Sequence, residues 1–167
     1  RHALVDWMAK PENPYFARVM VNRLWHYHFG HGLVGTPNDF GFNGERPSHP
    51  ELLDWLAAEL LDSGWNVSHV MRLIVTSATY RQSSAADAGA LERDPANRLL
   101  ARGPRFRLAA ELIRDQALAA GGLLSPKVGG PSARPPQPAG VSELTYAGSA
   151  RWVVSEGPER FRRGIYT

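Results

Sequence analysis

Cysteine is absent from the 167 residues. That excludes thiolate metal sites, cysteine nucleophiles and Cys-x-x-Cys-His attachment of a covalent haem within this stretch, and it fits reducing and oxidising compartments equally. Long apolar runs are missing too. The richest, Leu52 to Leu61, is broken by Asp54 and Glu59 and falls well short of the roughly 20 residues that cross a bilayer, so no membrane span is expected. Lysine is scarce, occurring only at Lys10 and Lys127, so the net charge of +3 rests on arginine. The one tight basic cluster, Arg160, Arg162 and Arg163, is interrupted by Phe161 and preceded by Glu156 and Glu159. Phosphate binding needs a denser basic face, which weighs against a nucleic-acid partner.

What is present suits a chain able to bury a core without a disulfide or metal: 43% of its residues are hydrophobic. Arg1 to Met8 opens inside an apolar-periodic run and Gly164 to Thr167 stops in a strand-like one, so the stretch is expected to be part of a larger protein. Asn13 and Pro14 have the form of an N-cap and first helical residue, predicting a helix to about Phe29 with Gly30 or Gly32 as its stop. Phe16, Val19, Met20, Leu24 and Tyr27 recur at helical steps and define its expected apolar stripe. Gly35, Pro37, Gly41, Gly44 and Pro47 make residues 33 to 49 a long ordered or functional loop.

Ser48 with Glu51 reads as a capping box for a helix from Pro50 to Asp62 or Ser63, buried through Leu52, Leu53, Leu56, Leu60 and Leu61. A third helix is expected after Asn66 or Ser68, with Val70, Leu73, Ile74 and Ser77 on one face. Ser83 to Ala90 reads as a connection. Asp94 and Pro95 suggest the cap of a short helix through Leu100, and Leu108 to Ala120 a longer one stopped by Gly121 and Gly122. Beyond Ser125, proline and glycine favour an extended segment that wraps or links. Arg151 to Ser155 and Arg163 to Thr167 are compatible with short strands, with a β-hairpin around Gly157 and Pro158 as an option. The expected fold class is therefore mainly α. An irregular helical domain spans residues 1–124, with a long Gly/Pro-containing loop, and an extended segment covers 125–167.

Three polar groups are candidates for chemistry. His26, His28 and His31 sit at the end of the first long helix; two imidazoles on one face make half a zinc site, whereas Trp25, Tyr27 and Phe29 beside them read as packing residues. Without further converging ligands, no metal and no cofactor is assigned. The second group is Asp39 in the loop, His49 after it and Arg23 on the preceding helix, the candidate catalytic set, with Asn22 and Asp54 as candidate binding residues. A carboxylate, an imidazole and a guanidinium suffice for acid–base chemistry if they converge. The alternative is structural: Asp39 closes an Asx-type turn, Phe40 anchors the loop and Arg23 pairs with Asp39. The third group is Glu111, Arg114 and Asp115, read as helix-surface ion pairs with Arg107 or Arg98 within reach of Asp115. No nucleophile elbow, phosphate-binding glycine loop, paired-histidine zincin motif or dinucleotide fingerprint occurs.

The stretch PENPYFARVMVNRLWHYHFGHGLVGTPNDFGFNGERPSHPELLDWLAAELLDSGWNVSHVMRLIVTSATYRQSS, with DPANRLLARGPRFRLAAELIRDQALAAGGLL, GGPSARPPQP and FRRGIYT, resembles the planctomycete PSD family over nearly the whole chain. The DFG within it has no kinase context. The resemblance implies a domain of unknown function, in large exported proteins that often carry a cytochrome-c-like domain, and hence an extracytoplasmic location at the periplasm or cell surface. It assigns no catalytic residue.

Three functions compete at this level. One is a scaffold or interaction module whose partners are other domains of the same larger protein. Another is a hydrolase-like or carbohydrate-active component using Asp39, His49 and Arg23. The third, implied by the resemblance alone, is an electron-transfer accessory to a cytochrome-c-like domain.

Overall fold

The computed structural model describes residues 1–8, 10, 12–138, 140–141 and 152–167. The described residues are helical, without a named strand: α1 (His2–Met8), α2 (Pro14–Phe29), α3 (Pro50–Asp62), α4 (Val67–Thr76), α5 (Ala88–Arg93) and α6 (Ala110–Ala120), followed by 3-10 helices Gly157–Phe161 and Gly164–Tyr166. The chain divides into two compact units, Arg1–Phe106 and Arg107–Thr167. The expected mainly α class is observed.

In the first unit, α2 starts as its sequence dictates. Asn13 accepts the Tyr15 amide, Pro14 occupies the first turn, and Gly30, at φ 78°, ends the helix by donating its amide to His26 O. The buried row is Ala17, Val21, Trp25 and Phe29, a strict four-residue repeat, rather than the expected stripe through Phe16 and Tyr27, both of which are exposed. Small Ala17 and polar Asn22 mute the apolar signal of the true core face. Phe16 instead packs on Trp65 with ring centroids 5.1 Å apart.

Trp25 and Phe29 stack at 4.1 Å, and Tyr80 meets Phe29 edge-on at 5.7 Å. Against this row pack Leu53, Leu56, Ala57 and Leu60 of α3, Val70 and Ile74 of α4, and Leu33 and Val34. Each such large side chain contributes about 1.5–3 kcal/mol on burial. α3 occupies the expected span, while α4 stops at Thr76, so that Ser77, expected on its apolar face, is instead its C-cap.

Two expected caps shift. Pro50 fixes the first turn of α3, so His49 is the N-cap, and its side chain makes no capping bond. Ser48 lies one residue too early and donates its hydroxyl to Leu33 O at 3.2 Å. Asp94 ends a helix instead of starting one: α5 is capped by the Asp87 carboxylate on the Ala90 amide and terminates at Asp94. Asp94 then accepts the amides of Arg98 at 2.9 Å and Leu99 at 2.8 Å. Left-handed Asn97 and Leu100 turn the backbone away from a helix.

In the second unit, α6 has no buried residue and packs with the 3-10 helix Gly164–Tyr166. Gly164 is required there, since a Cβ would lie 2.7 Å from Glu111 Cβ. The expected hairpin is not formed by the described residues; Arg151 lies outside them. The backbone of 152–167 pairs instead with the proline-rich segment: Ser125 N to Phe161 O at 3.0 Å, Ala133 N to Tyr166 O at 2.6 Å and Ser155 N to Arg134 O at 2.9 Å. Arg162 is the post this segment wraps. Fully buried, it donates to Pro131 O at 2.6 Å and to Gly129 O.

Candidate functional site

The polar residues around the 33–49 loop are held by separate partners. Asn22 is completely buried, where its amide reproduces a backbone pairing: Nδ2 donates to Val34 O at 3.0 Å and Oδ1 accepts Val34 N at 2.9 Å. Gly32 permits this approach, because a Cβ there would stand 2.8 Å from Asn22 Nδ2. Arg23, exposed, donates to Asn38 Oδ1 and not, as expected, to Asp39. Asp39 closes the anticipated Asx-type turn, its Oδ1 accepting the Gly41 amide at 2.8 Å. His49 Nδ1 faces Ser48 Oγ at 3.0 Å. Asp54 pairs with Arg18 at 2.6 Å; that hydrogen bond holds its carboxyl below the usual range and raises the Arg18 guanidinium. Phe40 packs against the core, while Phe42 is fully exposed.

The histidines show the same division. His28 Nδ1 contacts Leu24 O at 2.7 Å and His31 Nδ1 contacts Gly32 O at 2.8 Å; the His26 ring meets Tyr27 edge-on. Among the described residues, no three His, Asp or Glu side chains are grouped to hold a metal. In the third polar group Arg114 pairs with Asp115 at 3.7 Å, whereas, among the described residues, Glu111 joins no ion pair and Asp115 does not reach Arg107 or Arg98. Arg114 clamps Arg162 O at 2.6 Å and Arg160 O at 2.9 Å, while Asp115 accepts the Gly164 amide at 2.7 Å.

A concave site does form in the first unit; none of the five candidate residues lines it, although Gly32 and Ser48 of its lining lie against Asn22 and His49. A cavity of about 380 Å³ is lined by the end of α2, residues 30–33 and the Pro95–Phe106 segment. Hydrogen bonds tie that segment to itself and to residues 82 and 83. Asn97 donates to Arg102 O at 2.8 Å, Gln82 Nε2 donates to Leu100 O at 2.9 Å, and Gly103 N donates to Ser83 O at 2.9 Å. Gly103 has no room for a side chain, since a Cβ would meet Gln82 O at 2.6 Å.

Three arginines, Arg98, Arg102 and Arg105, belong to the lining, and no Asp or Glu does among the described residues. The arginines sit at four- and three-residue spacing in RLLARGPR, which in a helix would be an ordinary surface row. Only the left-handed turn curls them around a hollow, so sequence reasoning passed them over.

The family model described as a protein of unknown function (PSD1, DUF1553) matches residues 1–167. No curated protein and no solved structure matches the chain. With the whole length matched, the chain belongs to the PSD1 family of proteins of unknown function.

Proposed function

We propose that this chain is a non-catalytic scaffold or interaction module of a larger exported protein, working outside the cytoplasm against other domains of that protein. What supports the reading is that each member of the candidate catalytic set has a hydrogen-bond partner outside the set: Arg23 has Asn38, Asp39 the Gly41 amide and His49 the Ser48 hydroxyl. General acid–base work needs those groups within hydrogen-bond reach of one reacting atom.

Unpartnered apolar surface supports the interaction role. All of α1 is exposed, including Leu4 at 60%, Val5 at 60% and Trp7 at 53%, and a short isolated helix of this length gains its stability by docking. The partner in this reading is a neighbouring domain of the same protein, a cytochrome-c-like domain being the one that the family resemblance suggests.

Calorimetric titration of this chain with the remaining domains of its parent protein tests the proposal. Saturable binding weakened by Trp7→Ser is expected. Absence of binding would overturn it, as would turnover of a glycoside or ester substrate abolished by Asp39→Asn.

A further inference from the structure

We propose that the cavity bordered by Arg98, Arg102 and Arg105 binds a small organic anion, a carboxylate carried on an apolar body. This goes beyond the interaction role and does not depend on it. Arg102 is buried, and its Nη2 is fixed by Asp94 O at 2.9 Å and Pro95 O at 2.8 Å. Its Nη1 is enclosed and has no hydrogen-bond partner among the described residues. A buried guanidinium with an unmatched donor is costly unless a counter-charge sits close by.

The protein supplies little of that charge. Asp94, whose carboxyl feels both Arg102 and Arg98, is tied to the Arg98 and Leu99 amides. Arg98 reaches Glu45 only at 3.5 Å, with both side chains largely exposed. Arg105 has no carboxylate within 4.0 Å among the described residues. Three arginines border the hollow and no Asp or Glu does among the described residues, a balance of charge that favours an anion there.

The remaining lining decides the kind of anion. Trp25, Phe29 and half-exposed Phe106 belong to it, giving apolar contact next to the charges, and a volume of about 380 Å³ lies within the range of small-ligand sites. An arginine fork matches a carboxylate in two parallel hydrogen bonds, so exposed Arg98 and Arg105 can turn inward to grip it while Arg102 contributes fixed charge. A bare inorganic anion would leave the aromatic wall unused.

Titration of the chain with benzoate, benzyl alcohol and inorganic sulfate, read by NMR shifts of the amides at Gly30–Gly32 and Ala96–Phe106, tests the assignment. Benzoate is expected to give saturable shifts confined to those amides and weakened by added salt, with benzyl alcohol and sulfate binding at least about tenfold more weakly. Arg98→Gln and Arg105→Gln, both at exposed positions that leave the fold intact, should each weaken benzoate about tenfold. No saturable shift with benzoate, benzyl alcohol or sulfate equal to it, or unchanged affinity in both variants would overturn the proposal.

Discussion

The Arg162 guanidinium lies 3.8 Å from the ring centroid of Tyr166, sealed from solvent, while the Tyr166 hydroxyl accepts the Gly129 amide at 2.7 Å. The two side chains thus fasten the same glycine–proline segment from two directions. Arg162→Ala strands the carbonyls of Gly129 and Pro131 and removes the cation over the ring, at an expected cost of at least about 2 kcal/mol. Arg162→Lys should recover little, because a point ammonium cannot span both carbonyls while stacking. Tyr166→Phe keeps the ring and loses one hydrogen bond, about 1 kcal/mol. Urea denaturation of the three variants gives the ranking, and faster amide exchange at Gly129 and Ala133 localises the effect.

Asn22 is expected to be among the least replaceable residues of the first unit, although it was named as a binding candidate. Asn22→Ala leaves the Val34 amide and carbonyl buried without partners, costing about 2–4 kcal/mol. Asn22→Asp keeps the acceptor and turns a second acceptor on Val34 O. Such a buried carboxyl prefers its neutral form, so its folded pKa rises. The penalty should then be largest at neutral pH and shrink as the pH falls, when protonation restores a donor. Stability of Asn22→Asp that does not improve relative to wild type between pH 7 and about pH 5 would contradict this geometry.

Helix starts governed by neighbours in the chain were legible in sequence. Asn13 before Pro14 and Asn66 before Val67 cap as their residue types require. Asp94 before Pro95 bears the same signature and ends a helix, because its carboxylate is satisfied by amides four and five residues on. What stayed hidden depends on distant partners: Ser48 on Leu33, Asn22 on Val34, and Arg162 on Gly129 and Pro131. The arginine-lined cavity was illegible for the same reason, since its curvature comes from left-handed Asn97 and Leu100, positions normally avoided by leucine.

The vacant capping role at His49 gives a stabilising substitution. His49 is the N-cap of α3 and its side chain makes no capping bond, so His49→Asp should gain about 0.5–1 kcal/mol through an amide bond and the helix dipole. Ser48→Ala should cost less than about 0.5 kcal/mol, because the Ser48 amide also donates to Leu33 O, at 2.9 Å. Thermal melts of both variants check the assignment; no gain for His49→Asp together with a loss of about 1 kcal/mol or more for Ser48→Ala would return the cap to Ser48.

Asp54 and Arg18 join α3 to α2 in a partly exposed ion pair, worth no more than about 1 kcal/mol. The Asp54 carboxyl is held below its ordinary range chiefly by the hydrogen bond from Arg18. Its contribution is therefore complete above about pH 4 and disappears as the pH falls through the lower folded value. The stability difference between wild type and Asp54→Asn should follow that course and decrease with salt. A difference that persists undiminished at pH 2 would assign it to packing rather than charge.

Thr36 organises the loop that separates α2 from α3. Its hydroxyl donates to Asp39 O at 2.8 Å and accepts the Glu45 amide at 2.9 Å, so one side chain ties both limbs together. Gly44 shows how closely they meet, since a Cβ there would fall 2.2 Å from Asp39 O. The hydroxyl adds to the packing of Phe40 on the core in offsetting the ordering entropy of a segment whose Phe42 remains in solvent. Thr36→Val keeps the shape and removes both bonds, at an expected cost of about 1–2 kcal/mol, whereas Thr36→Ser should be nearly neutral. Amide exchange separates a built loop from one that orders only on binding. Slow exchange at Glu45, Asp39 and Gly41 in the free wild type, lost at Glu45 in Thr36→Val, is the result expected from these contacts. Exchange at Glu45 as fast as at exposed Ser84 in the wild type itself would show that the loop opens freely and that Thr36 does not hold it.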